Sequence, residues 1–204
     1  MDFVNGLDVS DYQPRANWSA VHAAGYSFAI CKATQGTGNV QTTFAGNMAA
    51  IRGLGMTFGA YHFLDWSEDP IVQAQHFLSV YTPRPGDLPP TLDCEACTAP
   101  SAAFAVDQVS GFIREVEKHL SGSRMLLYMS YSFPGDHLEG GSGFAGHPLW
   151  VAAYSSATEP PVPDAWAKAT IWQWTESGRV NGITGDVDLD RFVGTPADLK
   201  AFCL

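Results

Sequence analysis

An alternation that decays along the chain constrains this sequence most. Short β-rich runs stand at 4–9 (VNGLDV), 26–32 (YSFAICK), 56–63 (MTFGAYHF), 90–94 (PTLDC), 124–130 (RMLLYMS), 149–154 (LWVAAY), 169–174 (ATIWQW) and 185–189 (GDVDL). Helix-like segments separate the early ones. Asn17 stands where a cap would precede WSAVHAAG, 42–54 reads as an amphipathic helix closed by Gly55, and Asp69-Pro70 opens IVQAQHFLSVY with an Asp cap and Pro in the first turn. Residues 101–120 carry apolar side chains at helical spacing. Strands alternating with helices imply parallel βαβ units. From 149 onward the strands are separated by loops such as TEPPVPDAW and TESGRVNGITG, too short or too broken by Pro and Gly for crossover helices. The expectation is an α/β fold, a single barrel of eight strands whose last third is irregular. Functional residues then belong where the strands end. With no internal repeat, low-complexity tract or dividing linker, residues 1–204 read as one domain.

Charge removes several function classes. Eleven Lys and Arg against twenty-one Asp and Glu give a formal net charge of −10. A protein that neutralises phosphates needs a basic face, and anionic lipid heads repel an acidic one, so neither nucleic acid nor a membrane surface is an expected partner. No run approaches the ~20 apolar residues of a membrane span. The opening MDFVNGLDVSDYQ has neither a basic segment nor a continuous apolar one, so no signal peptide is read there.

The remaining motifs exclude as much as they suggest. Cys31, Cys94, Cys97 and Cys203 form no dense disulfide framework, and the C-x-x-C at 94–97 has no second pair or nearby histidines to complete a zinc site. No metal and no cofactor is expected: HExxH, GxGxxG and P-loop patterns are missing, and no GxSxG elbow appears. The glycines of 135–146 read as a flexible loop. His62 ends a strand run, where it serves either a ligand or the core.

Acidic residues at strand ends carry the chemistry. Asp8 follows VNGL, Asp93 and Glu95 lie in TLDCEAC, and Asp188 lies in GDVDLD. In a strand, residues two apart share a face about 6.6 Å apart, so Asp93 and Glu95 would both enter the cleft with Cys94 turned outward. Two carboxyls in one partly dry site do not ionise together easily, so one keeps its proton. A protonated acid beside a carboxylate is what glycosidic cleavage requires. Asp188 and Asp190 flank a leucine, and spacing alone leaves open which of them faces inward. Aromatic residues make up 12% of the chain; Tyr61, Tyr128, Tyr154, Trp66 and Trp174 lie at or just past strand ends, where rings either stack on sugars or fill the core.

Taken in order, these segments resemble glycoside hydrolase family 25, the Chalaropsis-type lysozymes that include phage endolysins. The resemblance runs through GLDVSDYQ, NWSAVHAAGYSFAICKATQG, GMTFGAYHF with QAQHF after it, LPPTLDCEA, LWVAAY and IWQWTESGRVNGITGDVDLDRF. It implies a flattened TIM-like (β/α)5(β)3 barrel. The implied activity is a retaining N-acetylmuramidase, cleaving the β-1,4 bond between N-acetylmuramic acid and N-acetylglucosamine in bacterial peptidoglycan. It further implies Glu95 as general acid/base, Asp93 as its charged neighbour, and Asp8 and Asp188, not Asp190, as the other acids of the site. Tyr61, His62, Trp66, Tyr128, Tyr154 and Trp174 are the candidates for contact with glycan strands. Two departures stand out: Gln35 replaces the glutamate of K-A-T-E-G, and Asp190 stands where Asn is frequent, adding a charge. The first is expected to alter subsite affinity or pH profile and keep activity. Substrate-assisted attack is the expected course. A catalytically weak peptidoglycan-binding module and an endo-N-acetylglucosaminidase are the alternatives. The chain is expected to work as a monomer on the bacterial wall without a separate wall-binding domain, whether released with a holin, secreted, or delivered by a secretion machine.

Overall fold

The computed structural model describes residues 1–204. Its strands are β1 (Phe3–Val9), β2 (Phe28–Gln35), β3 (Asn39–Val40), β4 (Thr57–Phe63), β5 (Thr91–Asp93), β6 (Leu126–Ser130), β7 (Leu149–Ala152), β8 (Ile171–Gly178) and β9 (Val187–Val193). The sheet order is β1-β9-β8-β7-β6-β5-β4-β2-β3, and β1 also pairs with β2. Eight strands therefore close on themselves, leaving β3 as a short hairpin arm on the end of β2. Within the closed barrel β1, β2, β4, β5, β6, β7 and β8 run parallel and β9 is antiparallel to both β8 and β1, while the β3 arm is antiparallel to β2.

The helices are α1 (Trp18–Ala23), α2 (Phe44–Gly53), α3 (Pro70–Val80), α4 (Ala102–Glu117), α5 (Phe133–His137) and α6 (Pro196–Phe202). Two of them start at the caps read in the sequence, Asn17 and Asp69. The Asn17 side chain accepts from Ala20 N, Asp69 accepts from Ile71 N and Val72 N ahead of Pro70, and Ser101 accepts from Phe104 N. Each caps a helix N-terminus whose amides have no partner inside the helix. Between β6 and β7 the chain forms α5 and a 3-10 turn over Glu139–Phe144, and so departs from the expected loop. Phe133, Leu138 and Phe144 are buried there, while Gly140 and Gly141, at φ +81° and +79°, break the helix in two.

Alternation along the strands sorts side chains into two cores. Val4, Phe28, Ile30, Leu126, Ile171 and Phe192 fill the barrel interior, while Leu7, Ala29, Cys31, Leu92, Cys94 and Val151 face the outer layer with Phe77, Val109 and Phe112 of α3 and α4. Gly6 belongs to the tight interior: a Cβ there would lie 2.2 Å from the Phe28 ring. No crossover helix joins β7 to β8 or β8 to β9, and the outer face there is covered differently. The Arg191 guanidinium lies over the rings of Trp174, Phe3 and Trp172 at 4.4, 5.3 and 5.5 Å. All four cysteines are free thiols, and Cys31 and Cys94 are not on neighbouring strands, since β4 lies between β2 and β5.

Candidate active site

Parallel strands deliver inward-facing residues near their C-terminal ends to one mouth of the barrel. β1 brings Asp8, β4 Tyr61, β5 Asp93 and β6 Tyr128. Strand β5 is shorter than its sequence suggests and ends at Asp93, although Cys94 N still donates to Tyr128 O. Cys94 turns into the outer core and Glu95 stands beyond the strand at the mouth. The Trp66 indole N–H donates to the Glu95 carbonyl at 2.8 Å, and Ala96 follows in the left-handed region at φ +46°. That conformation is costly for a residue with a Cβ, so the turn presenting Glu95 is held against local preference.

Burial grades the acids. Asp93 is 4% exposed, and none of the protein's donors reaches its Oδ1. Burial, then the Glu95 charge, pushes the Asp93 carboxyl well up, while the Lys32 ammonium opposes the shift. Glu95 is only partly buried, and burial raises it while Lys32 pulls it back. Lys32 Nζ donates to Gln35 Oε1 at 2.7 Å and lies 4.4 Å from the centre of the Phe63 ring. Burial depresses this lysine against the pull of Asp93, Glu95 and Asp11. Gln35 thus gives the lysine a neutral acceptor at the edge of an acid-lined mouth.

The opposite wall holds a second group of acids. Asp8 and Asp188 are cross-strand partners on β1 and β9, and Asp190 lies opposite Gly6 on one side and Gln173 on the other. Both Asp188 and Asp190 face inward, at different depths. Asp188 is half-buried at the mouth, pushed up to about 6 by burial, Glu176 and Glu95. Asp190 is 1% exposed, and Trp150 Nε1 donates to its Oδ1 at 2.8 Å. The charge expected on the cleft wall at 190 is instead an interior carboxyl, raised well above the usual range by burial and by Asp188. Asp8 is likewise raised, by burial and then by Asp190 and Asp188.

One amide ties this wall together. Gln173 Nε2 donates to Asp8 Oδ2 at 2.8 Å, while Gln173 Oε1 accepts the hydroxyls of Tyr128 and Tyr154 at 2.8 and 2.7 Å. The sequence reading missed Gln173 and Trp150. Their signal was period two: Ile171 and Gln173 alternate inward as Trp172 and Trp174 alternate outward.

The structure brings Asp8, Asp93, Glu95, Asp188, Tyr61, Tyr128 and Tyr154 to this mouth and excludes three candidates. His62 follows inward-facing Tyr61 and so points to the helices. It is fully buried, with Nδ1 2.7 Å from Thr34 Oγ1, Nε2 3.1 Å from Gln73 Oε1, and its ring stacked on Phe112. Burial drives it down to about 4, making it a neutral core histidine. Trp174 lies outside the barrel against Arg191. Trp66 is 4% exposed and supports the Glu95 backbone without presenting a free face.

Two concavities of about 650 and 690 Å³ lie away from the mouth: one is lined by Arg15, Asn17, Thr42 and Thr184, the other by His147, Trp166, Lys168 and Phe202.

The sequence profile described as Glycosyl hydrolases family 25 matches residues 7–183. Lysozyme M1 of Streptomyces globisporus is 32% identical over 208 residues, covering 97% of this chain and 70% of that protein. The N,O-diacetylmuramidase of Chalaropsis sp is 30% identical over 203 residues, covering 91% and 96%. In structure, a bacterial lysozyme from Streptomyces coelicolor superposes with a TM-score of 0.91 at 31% identity, covering 100% of this chain and 98% of that one.

Proposed function

The chain belongs to glycosyl hydrolases family 25, and from that premise we propose that it is a muramidase that hydrolyses the β-1,4 bond between N-acetylmuramic acid and N-acetylglucosamine with Glu95 as general acid/base. Its activity is that of a glycoside hydrolase acting on peptidoglycan. One observation carries the assignment of Glu95: of the pair Asp93 and Glu95 it is the one at the solvent edge, just beyond β5, while burial keeps its proton affinity above that of a free glutamate. A general acid needs both access to the leaving oxygen and a proton to give.

Asp93 has the complementary arrangement. Its Oδ1 is a buried acceptor without a donor, a costly state that a substrate N–H would relieve. In the proposed course that N–H belongs to the 2-acetamido group of the sugar on the glycone side. Glu95 gives its proton to the glycosidic oxygen as the C1–O bond breaks. The acetamido oxygen forms the new bond to C1 from the opposite face, giving an oxazolinium ion whose N–H is held by Asp93. The Glu95 carboxylate then takes a proton from water as the water oxygen attacks C1 and the ring opens. Configuration is retained and Glu95 is restored to its acid form. Tyr61, Tyr128 and Tyr154 line the path of the glycan. No helix of the chain is long and apolar enough to cross a membrane; the site of action proposed is the bacterial wall.

The test is digestion of purified peptidoglycan, with borohydride reduction and mass spectrometry of the new ends. Reduced muramic acid ends, absent with Glu95→Gln, are expected. Reduced glucosamine ends would move the scissile bond to that of an endo-N-acetylglucosaminidase. Wall binding without new ends would make the chain a binding module.

A further inference from the structure

Asp190 is a buried acid that the chemistry above does not use. It lies inside the barrel beneath the mouth, and only one of its oxygens has a partner among the protein's N–H and O–H groups: Trp150 Nε1 on Oδ1. Its Oδ2 is orphaned unless a proton sits between it and another acid. The register supplies that acid. On β1, Gly6 is directly opposite Asp190, and Asp8 is two residues further along the same face. Such diagonal neighbours on one face of a sheet lie within reach of longer side chains. Asp8 and Asp190 thus project from neighbouring strands into the same buried interior. Two anions side by side in a dry interior repel strongly, whereas a carboxyl donating to a carboxylate makes a short, charge-assisted bond.

We propose that Asp8 and Asp190 share one proton at neutral pH, and that Asp190 is thereby a positioning residue that holds Asp8 from below while Gln173 holds it from the side. The pair carries a single negative charge at fixed orientation, presented toward the glycan from the cleft floor. The groups facing it are Asp188 on β9, Asp93 on β5, and the hydroxyls of Tyr128 on β6 and Tyr154 beyond β7. Gln173 Oε1 accepts both hydroxyls, which fixes the amide so that Nε2 must donate to Asp8. The inference rests on the muramidase reading for its kinetic test and not for its spectroscopic one.

The Asp190→Asn variant decides it. An asparagine Nδ2–H replaces the shared proton with a donor of the same shape, and Asp8 then carries the single charge alone. Its kcat and kcat/KM are expected within about twofold of the parent, with the acid limb of the pH profile unmoved. Asp190→Ala removes the donor and is expected to lower kcat on the order of tenfold with a smaller change in KM, the loss typical of a buried acceptor left without its partner. Loss in both variants, or in neither, overturns the positioning role. A shift of the acid limb in Asp190→Asn overturns the shared proton, because removing a full charge would ease ionisation of Asp188. Infrared spectra of the folded protein give a check independent of activity and of whether the alanine variant folds. The difference between the parent and Asp190→Asn spectra at neutral pH is expected to show the loss of one protonated-carboxyl carbonyl stretch on top of whatever the other raised acids contribute to both, and a difference spectrum without that band overturns the proposal. Were the parent itself inactive on peptidoglycan, the functional reading would fail while the infrared result still stood.

Discussion

Two pairs of acids, written alike in the sequence, face each other across the mouth of this barrel with opposite polarity. Asp93 ends a strand that runs outward and Glu95 follows just beyond it, so the second acid of the pair stands at the solvent edge and the first is buried. Asp188 and Asp190 lie on the antiparallel strand, which runs back into the barrel, so there the first acid is at the mouth and the second is interior. Period two tells which residues share a face. Only strand direction tells which of them meets the substrate, and direction is a property of the closed sheet. The same D-x-[DE] spelling therefore places its second acid at the solvent edge on one wall and in the interior on the other.

Neutralising each acid with its isostere is the way to break this comparison, and the outer member of β5 gives the largest effect. Glu95→Gln should reduce kcat by at least about 10³-fold, within the range for loss of a general acid, with thermal unfolding little changed because the side chain is only partly buried. Full activity in that variant would remove the basis for the polarity argument. Asp93→Asn comes next. It exchanges the charged acceptor for a neutral amide that can still accept at Oδ1 but does not balance an oxazolinium charge, so a loss of roughly 10²-fold in kcat is expected. Parental kcat in that variant would contradict the acetamido role.

Asp188→Asn sharpens the comparison through pH. The folded-state pKa of about 6 lies above the ordinary value of 3.8, so the native state holds this proton more tightly than the unfolded chain does. Its favourable contribution is present below pH 4 and is lost as pH rises through 6. Asn at 188 escapes that loss, so the variant should be more stable than the parent above pH 6, by ~1 kcal/mol once solvent screening at the mouth is allowed for, and equal to it near pH 4. Chemical denaturation at the two pH values measures this; a variant less stable at pH 7 would show that the Asp188 charge is satisfied where it stands. The smallest effect belongs to the strained turn. Ala96→Gly removes the left-handed penalty but adds freedom to the unfolded chain, leaving a net gain of about 0.5 kcal/mol. Some loss of kcat is expected with it, because the turn that presents Glu95 loosens.

Most of the architecture was legible before the fold was seen. Asn17 and Asp69-Pro70 announced their helices because a cap is a local contact of a few residues, and 101–120 announced its own by apolar spacing. The eight barrel strands were legible as β-rich runs, and the broken loops after 149 announced the missing helices. The hairpin arm Asn39–Val40 escaped notice because two residues carry no period. The helices within 133–144 were hidden by a glycine-rich composition, although Phe133, Leu138 and Phe144 had a core to enter. Sites were less legible than strands. The acids stood out as charges near strand ends, but His62 and Trp174 were placed one residue out of phase with the inward faces of Tyr61 and Gln173. Gln173 itself, the amide on which one wall hangs, carries no charge and no motif that marks it apart from the fold. Its importance is visible only once β1, β6 and β8 meet.

The most direct measurement is a side-by-side digestion of purified peptidoglycan by Glu95→Gln and Asp190→Asn, counting new muramic acid reducing ends against the parent. The expected result is no ends above background for Glu95→Gln and parental numbers for Asp190→Asn, as the opposite polarity of the two pairs requires. Turnover retained at Glu95→Gln, or abolished at Asp190→Asn, would mean that depth in the barrel does not divide the acids in the way described.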